Sequence, residues 1–137
     1  FDDYAHHPTE IKATLQGFHA RFPKKRIVCV YEPHQAERLR RLWPEFQTCF
    51  DLADELIMLP IYRVAGRDKR EHPTYNSRNL AAFVAKRNPK KTVRYLPDYH
   101  HLKKTLAVLS PAPLRDKVIV MTGAGTIAEH TETLLRK

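Results

Sequence analysis

Four short apolar runs, each followed by residues at helical spacing, constrain this chain more than any other feature. They are Ile27-Val28-Cys29-Val30-Tyr31, Leu56-Ile57-Met58-Leu59-Pro60-Ile61, Thr92-Val93-Arg94-Tyr95-Leu96 and Lys117 to Met121, the last centred on Val118-Ile119-Val120. A run that is apolar at consecutive positions suits a strand buried on both faces, as parallel sheets require. The intervening segments carry the helical period. Residues 8–22 place Ile11, Leu15, Phe18 and Phe22 on one face, with Pro8 and Thr9 as start signals and Pro23 with Lys24-Lys25 as the stop. Residues 35–43 predict a helix with Ala36, Leu39 and Trp43 inward and Arg40 and Arg41 outward. Pro44 interrupts it, and Phe46 to Ala53 continues as a second helical piece. Three further helices are expected. Asn79 to Arg87 has Leu80, Phe83 and Val84 on one side, Tyr99 to Leu109 has Leu102, Leu106 and Leu109 inward, and the last covers Ile127 to Arg136.

Short strands alternating with helices argue an α/β fold: a mostly parallel sheet with helices on both faces. A chain of 137 residues makes one such domain. Ligands of such sheets bind beyond the carboxyl ends of the strands. The loops at Glu32–His34, Tyr62–Ser77 and Thr122–Gly125 therefore form the expected rim, joined by the segment before the first helix. The 62–77 stretch is long and polar, which in a compact domain marks a functional or mobile loop.

Composition narrows the function classes. The chain is 42% hydrophobic and 28% charged, which sets it apart from disordered sequences. No apolar run approaches the ~20 residues of a membrane-spanning helix. The start, Phe1-Asp2-Asp3-Tyr4, has neither the basic nor the apolar region of a signal peptide, and the missing Met suggests a fragment or a processed chain. Cys29 and Cys49 are too few for a disulfide framework and lack metal-ligand spacing, so a reducing, cytoplasmic setting is expected. The net charge of +9 points to an anionic partner: nucleic acid, a membrane surface or phosphorylated small molecules. The basic residues are scattered in pairs with no long block, which a solvated surface explains. No metal site, no phosphate-cradling Gly-Lys-Ser/Thr loop and no Ser-His-Asp or Cys-His arrangement is visible.

Three segments carry candidate chemistry. Asp2-Asp3-Tyr4-Ala5-His6-His7-Pro8-Thr9-Glu10 is read as a loop ahead of a helix amino terminus, a place for phosphate or carboxylate. A carboxylate such as Asp3 suits ribose hydroxyls, and a His suits a phosphate oxygen or a proton transfer. The same residues also serve as a plain helix cap. In Glu32-Pro33-His34-Gln35-Ala36-Glu37-Arg38, His34 and Arg38 are four apart and share a face if helical, a carboxylate-binding position. An exposed Arg38 paired with Glu37 or Glu45 is the alternative. Gly123-Ala124-Gly125 follows a strand and precedes a helix but lacks the third glycine of a dinucleotide fingerprint, so close strand-to-helix packing explains it better.

Taken together, these segments resemble the C-terminal domain of the Mur ligases. Asp2 to Ile11 resembles the motif that opens that domain. Glu32-Pro33-His34 with Arg38 is similar to a Q-P-H-x-x-x-R element. Ala53-Asp54-Glu55-Leu56 with Pro60-Ile61-Tyr62 and the Gly123-Ala124-Gly125 turn match further elements in order. Within the family, the double Asp and double His most resemble members that join L-alanine to UDP-N-acetylmuramate. The resemblance implies a Rossmann-like domain of an ATP- and Mg²⁺-dependent ligase of peptidoglycan synthesis, whose N-terminal and central domains are absent from this chain and hold most of the ATP and Mg²⁺ contacts. It implies that Asp3 contacts the ATP ribose and that His6 acts near the phosphates and the reacting carboxylate. It places Tyr4, His34 and Arg38 around the amino acid. Glu32 stands where the family usually has Gln, and Thr126 where Asp is common. A sister ligase that attaches a recycled peptide to UDP-N-acetylmuramate is one alternative, and a basic nucleic-acid-binding α/β module is another. The preferred reading expects neither nucleic acid nor membrane as a partner.

Overall fold

The computed structural model describes residues 1–63, 71–109 and 112–136. Five strands, β1 (Asp2–Asp3), β2 (Arg26–Tyr31), β3 (Glu55–Met58), β4 (Thr92–Tyr95) and β5 (Lys117–Thr122), form one sheet in the order β1-β5-β2-β3-β4. Every pairing is parallel. Six helices connect or follow them: α1 (Pro8–Arg21), α2 (Ala36–Arg41), α3 (Trp43–Phe46), α4 (Ser77–Arg87), α5 (Leu102–Val108) and α6 (Ile127–Leu135).

Strand alternation sorts β2 onto two cores. Ile27, Cys29 and Tyr31 point to one face, where they meet Ile11 and Leu15 of α1, Leu39 of α2, Trp43 and Phe46 of α3, and Leu80 and Val84 of α4. Val28 and Val30 point to the other, against Leu102 and Leu106 of α5 and Ile127 of α6. Both sides of the strand are apolar because both sides are covered. The α/β class, the parallel sheet and the helices on both faces follow from this. No helix among the described residues is long and apolar enough to cross a membrane.

Several elements differ from the sequence-based expectation, each for a local reason. Asp2-Asp3 is an edge strand, not a loop: Asp2 pairs with Met121 and Asp3 with Thr122. Two charged residues carry no strand signal of their own, and β5 supplies the pairing. The helix expected over 35–43 ends at Arg41, and Pro44, expected to interrupt it, sits in the first turn of the next helix, α3, where its missing N–H costs nothing. The second helical piece expected over Phe46 to Ala53 ends at Phe46, and residues 47–52 run as turns. Phe83 is 49% exposed, capping Trp43 edge-on at 5.7 Å instead of entering the core. Most of the expected 62–77 loop, residues 64–70, lies outside the described residues.

Candidate functional site

Strand order places the rim. From β2 the chain runs outward to β3 and β4, then returns through α5 to insert β5 on the other side of β2. The loops after β2 and β5 therefore diverge, the usual place for a ligand in an open parallel sheet. The loop after β1 lies beside them because β1 pairs with β5.

Histidines from two of these loops meet there. The His6 and His34 rings lie 6.2 Å apart. His34 stacks on Tyr62, with centroids 5.3 Å apart and planes at 13°, and a parallel bridge joins the two backbones. The Tyr62 amide donates to the Pro33 carbonyl at 2.7 Å. Tyr4 presents its edge to His6 at 5.3 Å while remaining 71% exposed. His6 Nδ1 is 3.0 Å from the Tyr4 carbonyl, and the buried Tyr31 hydroxyl donates to the His6 carbonyl at 3.2 Å. Thus the segment 4–6 is held from both sides. His7 supplies the cap of α1, its Nδ1 accepting from the Thr9 amide at 3.3 Å.

The fate of the other predicted residues is mixed. Arg38 is half-buried, and its Nη1 is buried with no hydrogen-bond partner among the described residues. It lies within electrostatic reach of Tyr31: burial raises the pKa of that phenol, and the Arg38 charge opposes the rise. The shared helical face expected for His34 and Arg38 does not exist, because α2 begins at Ala36 and Gln35 ahead of it takes φ 69°. His34 instead lies in extended backbone. The alternative pairing of Arg38 with Glu37 is also wrong: Glu37 binds Arg40, at 2.5 Å. Asp3 is half-buried, and its Oδ1 accepts from the Ala5 amide at 2.7 Å. That leaves the second carboxylate oxygen for another donor. Asp3 also edges a hollow of about 250 Å³ on α1, with Thr14, Gly17 and Arg21.

Sequence reasoning assigned no role to Glu32 or Tyr62. Glu32 is 1% exposed. Its Oε2 accepts from Thr126 Oγ1 at 3.1 Å, while Oε1 is buried with no partner among the described residues. Burial pushes its carboxyl up to about 7, against the pull of Thr126 and the amides that start α6. The two glycines explain how it fits. Gly123 takes φ +155°, and a Cβ there would stand 2.9 Å from the Glu32 carbonyl oxygen. A Cβ on Gly125 would stand 2.6 Å from Tyr62 Cγ and closer still to Glu32 Oε1. The signal was therefore in the glycines, but their neighbours are the rim residues Glu32 and Tyr62, far apart in sequence.

No group of three or more His, Cys, Asp or Glu among the described residues could hold a metal ion. Among the described residues the rim offers instead the imidazoles of His6 and His34, the phenols of Tyr4 and Tyr62, the guanidinium of Arg38 and the buried carboxyl of Glu32, a set suited to binding and orienting charged groups.

Comparison with known proteins agrees with this architecture. The profile of the family described as Mur ligase, glutamate ligase domain, matches residues 1–125. A UDP-N-acetylmuramate–L-alanine ligase of Synechococcus is 39% identical over 136 residues, covering 98% of this chain and 26% of the relative. The solved UDP-N-acetylmuramate–alanine ligase of Thermotoga maritima superposes with a TM-score of 0.71 at 22% identity, over 97% of this chain and 25% of that one. A murein peptide ligase from Psychrobacter arcticus gives 0.63 at 20% identity, over 98% of this chain and 26% of that one. The chain thus spans about a quarter of the length of the curated relatives it matches. On the family profile and on 39% identity across nearly its whole length, the chain belongs to the Mur ligase, glutamate ligase domain family.

Proposed function

We propose that this chain is the C-terminal domain of an ATP-dependent ligase that joins L-alanine to UDP-N-acetylmuramate in the cytoplasm, with N-terminal and central domains supplied by the rest of the protein. The observation that carries the reading is the rim itself. His6, His34 and Tyr62 come together at the divergence of β2 and β5, and Arg38 of α2 keeps a buried Nη1 with no hydrogen-bond partner among the described residues. The two free, buried cysteines suit a reducing compartment.

ATP, when bound, supplies the phosphate that activates the carboxyl group of the sugar substrate. Each residue then has a task that its placement supports. The second oxygen of Asp3 accepts from the ribose. His6, its ring fixed by the Tyr4 carbonyl, presents Nε2 toward the phosphates and the reacting carboxyl. The Arg38 guanidinium takes the carboxylate of the amino acid, so that its amine stays directed at the activated carbonyl. His34 and Tyr62 stack beside it, and the exposed Tyr4 ring lies against His6. With no metal-competent cluster among the described residues, Mg²⁺ falls to the central domain.

The decisive experiment compares the full-length protein with this domain alone. With ATP, Mg²⁺, UDP-N-acetylmuramate and alanine, the full-length protein should release ADP in an alanine-dependent way, and the domain alone should release none. Sustained ADP release by the domain would overturn the division of labour. Use of a recycled peptide in place of alanine would move the assignment to the sister ligase. Arg38→Ala in the full-length protein should raise the alanine KM tenfold to a hundredfold, as a charged hydrogen-bonded pair of about 1.5–3 kcal/mol implies.

A further inference from the structure

Tyr62 has no contact with a substrate in the proposed reaction, yet it is tied to the rim through backbone and ring alike. Its amide donates to the Pro33 carbonyl at 2.7 Å, and a parallel bridge pairs it with His34. Its ring stacks on the His34 imidazole, with planes 13° apart. Gly125 stands against the same ring: a Cβ there would lie 2.6 Å from Tyr62 Cγ and 2.8 Å from Cδ2. We propose that Tyr62 is a positioning residue of this rim: held by Pro33 and Gly125, its ring fixes the direction of the His34 imidazole. This inference rests on the reading of the rim as the amino-acid side of a ligase, and it deepens that reading by naming what orients His34.

His34 needs such a constraint because its own segment supplies little. It lies in extended backbone ahead of α2, which begins at Ala36, so no preceding helical turn restricts its rotamer. A second ring, that of His6, is 6.2 Å away and inclined by 61°, a contact that leaves room for tilting. A near-parallel stack does not, because tipping the imidazole drives its edge into the face of the phenol. The stack orients His34 only while Tyr62 itself stays in place, and there the glycine matters. Cγ is the root of the ring, so a displacement of Cγ carries the whole ring with it. With Cγ and Cδ2 already inside the volume a methyl group at 125 would need, the ring is blocked from moving toward the Gly123–Thr126 turn. At the backbone, the bond to Pro33 keeps Tyr62 level with His34. The hydroxyl has no part in this, since shape does the holding. An imidazole ordered in advance need not be ordered when the amino acid binds, which favours a low KM for that substrate.

Two measurements test the proposal, one of them independent of the ligase reaction. In this 137-residue chain, NMR should show Overhauser contacts between the His34 and His6 rings. Tyr62→Leu should weaken them by freeing the imidazole, and Tyr62→Phe, which keeps the ring, should restore them. Gly125→Ala, which forces Tyr62 Cγ to move, should weaken them too. Contacts of unchanged strength in Tyr62→Leu would overturn the proposal. Should Tyr62→Leu not fold, Gly125→Ala decides alone, and unchanged contacts there count against it. In the full-length ligase, Tyr62→Leu should raise the alanine KM roughly three- to tenfold, with kcat and the ATP KM changing less, and Tyr62→Phe should recover most of that loss. An active ligase whose alanine KM is the same in Tyr62→Leu overturns the inference while leaving the ligase reading intact. So does an equal loss in Tyr62→Phe, which would assign the effect to the hydroxyl, or an ATP KM raised as much as that for alanine, which would assign it to general loosening. A protein with no alanine-dependent activity whose ring contacts still follow the Tyr62 side chain defeats the ligase reading instead and leaves the stack's hold on His34 standing.

Discussion

The two ends of the sheet use the same kinds of residue to opposite effect. At the amino ends of β2 and β3, charges are spent on structure. Arg26 bonds Glu55 at 3.1 Å, Arg87 bonds Asp51 at 3.3 Å, and Asp54 accepts from the Ile27 amide at 2.7 Å. Lys91 donates to the Phe50 carbonyl at 2.6 Å, and burial lowers its pKa. Arg26, Asp51, Asp54, Arg87 and Lys91 line a cavity of about 560 Å³, and each of the five is already bonded. At the carboxyl ends, Arg38 keeps a buried nitrogen without a partner and Glu32 a buried oxygen, and neither forms an ion pair among the described residues. Even Glu55, which also has one oxygen unbonded, faces a counter-charge, whereas Glu32 has no ion pair among the described residues. A cavity's size therefore says less about function than the bonding capacity its walls leave over.

The sharpest way to break this contrast is at the structural end. Arg26→Met leaves Glu55 buried without its partner and should cost about 3 kcal/mol in urea unfolding. Alanine use by the full-length protein should survive if the variant folds. An unchanged unfolding midpoint would show that the amino end is not held by its ion pair.

Next in size is the pH dependence that Glu32 imposes. Its folded pKa of about 7 lies above the ordinary 4.5, so its neutral form is favoured by folding. The stability this contributes is fully present below pH 4.5 and is lost as pH rises through 7. The stability of the wild type minus that of Glu32→Gln should fall by up to roughly 3 kcal/mol across that window. A difference that rises with pH would require a counter-charge at Glu32 that no ion pair among the described residues supplies.

Asp3→Ala removes the hydrogen bond from the Ala5 amide and should lower stability by about 1 kcal/mol. If Asp3 also binds ribose, the ATP KM of the full-length protein should rise about tenfold, as for a charged hydrogen bond. A lowered melting temperature with an unchanged ATP KM would restrict Asp3 to holding the Ala5 amide. The smallest effect belongs to Arg40→Ala, whose exposed pair with Glu37 is screened by solvent, so that stability should stay close to that of the wild type. Measured beside Arg38→Ala, it is the control for side-chain direction on α2.

The strands and the larger helices were legible because their signal is local. Val28 and Ile57 announce burial on both faces whatever they eventually pair with, and Ile11 and Leu15 announce one helical face. What escaped was set by partners distant in sequence. Asp2-Asp3 becomes a strand only because Met121 and Thr122 offer it a ladder. His34 and Arg38 were brought together by helical spacing, but the φ of 69° at Gln35 starts the helix after His34. The true neighbour of His34 is Tyr62, across a bridge that no periodicity encodes. Asp3, Tyr4, His6, His34 and Arg38 were named from motifs. The loops that carry Glu32 and Tyr62 were expected on the rim, but the close contact of both side chains with Gly125 was not legible in the sequence.

That pressure limits how this domain can diverge. With Glu32 Oε1 and Tyr62 Cγ both inside the volume a Gly125 methyl would need, the three positions are not free to drift separately. A lineage that acquires a side chain at 125 must first shrink or turn the residue at 62 or at 32, and each of those changes disturbs the stack on His34. Double-mutant combinations among the three should therefore depart from additivity. Related sequences should keep glycine at 125 for as long as they keep a ring at 62, so that this corner of the rim is inherited as a block.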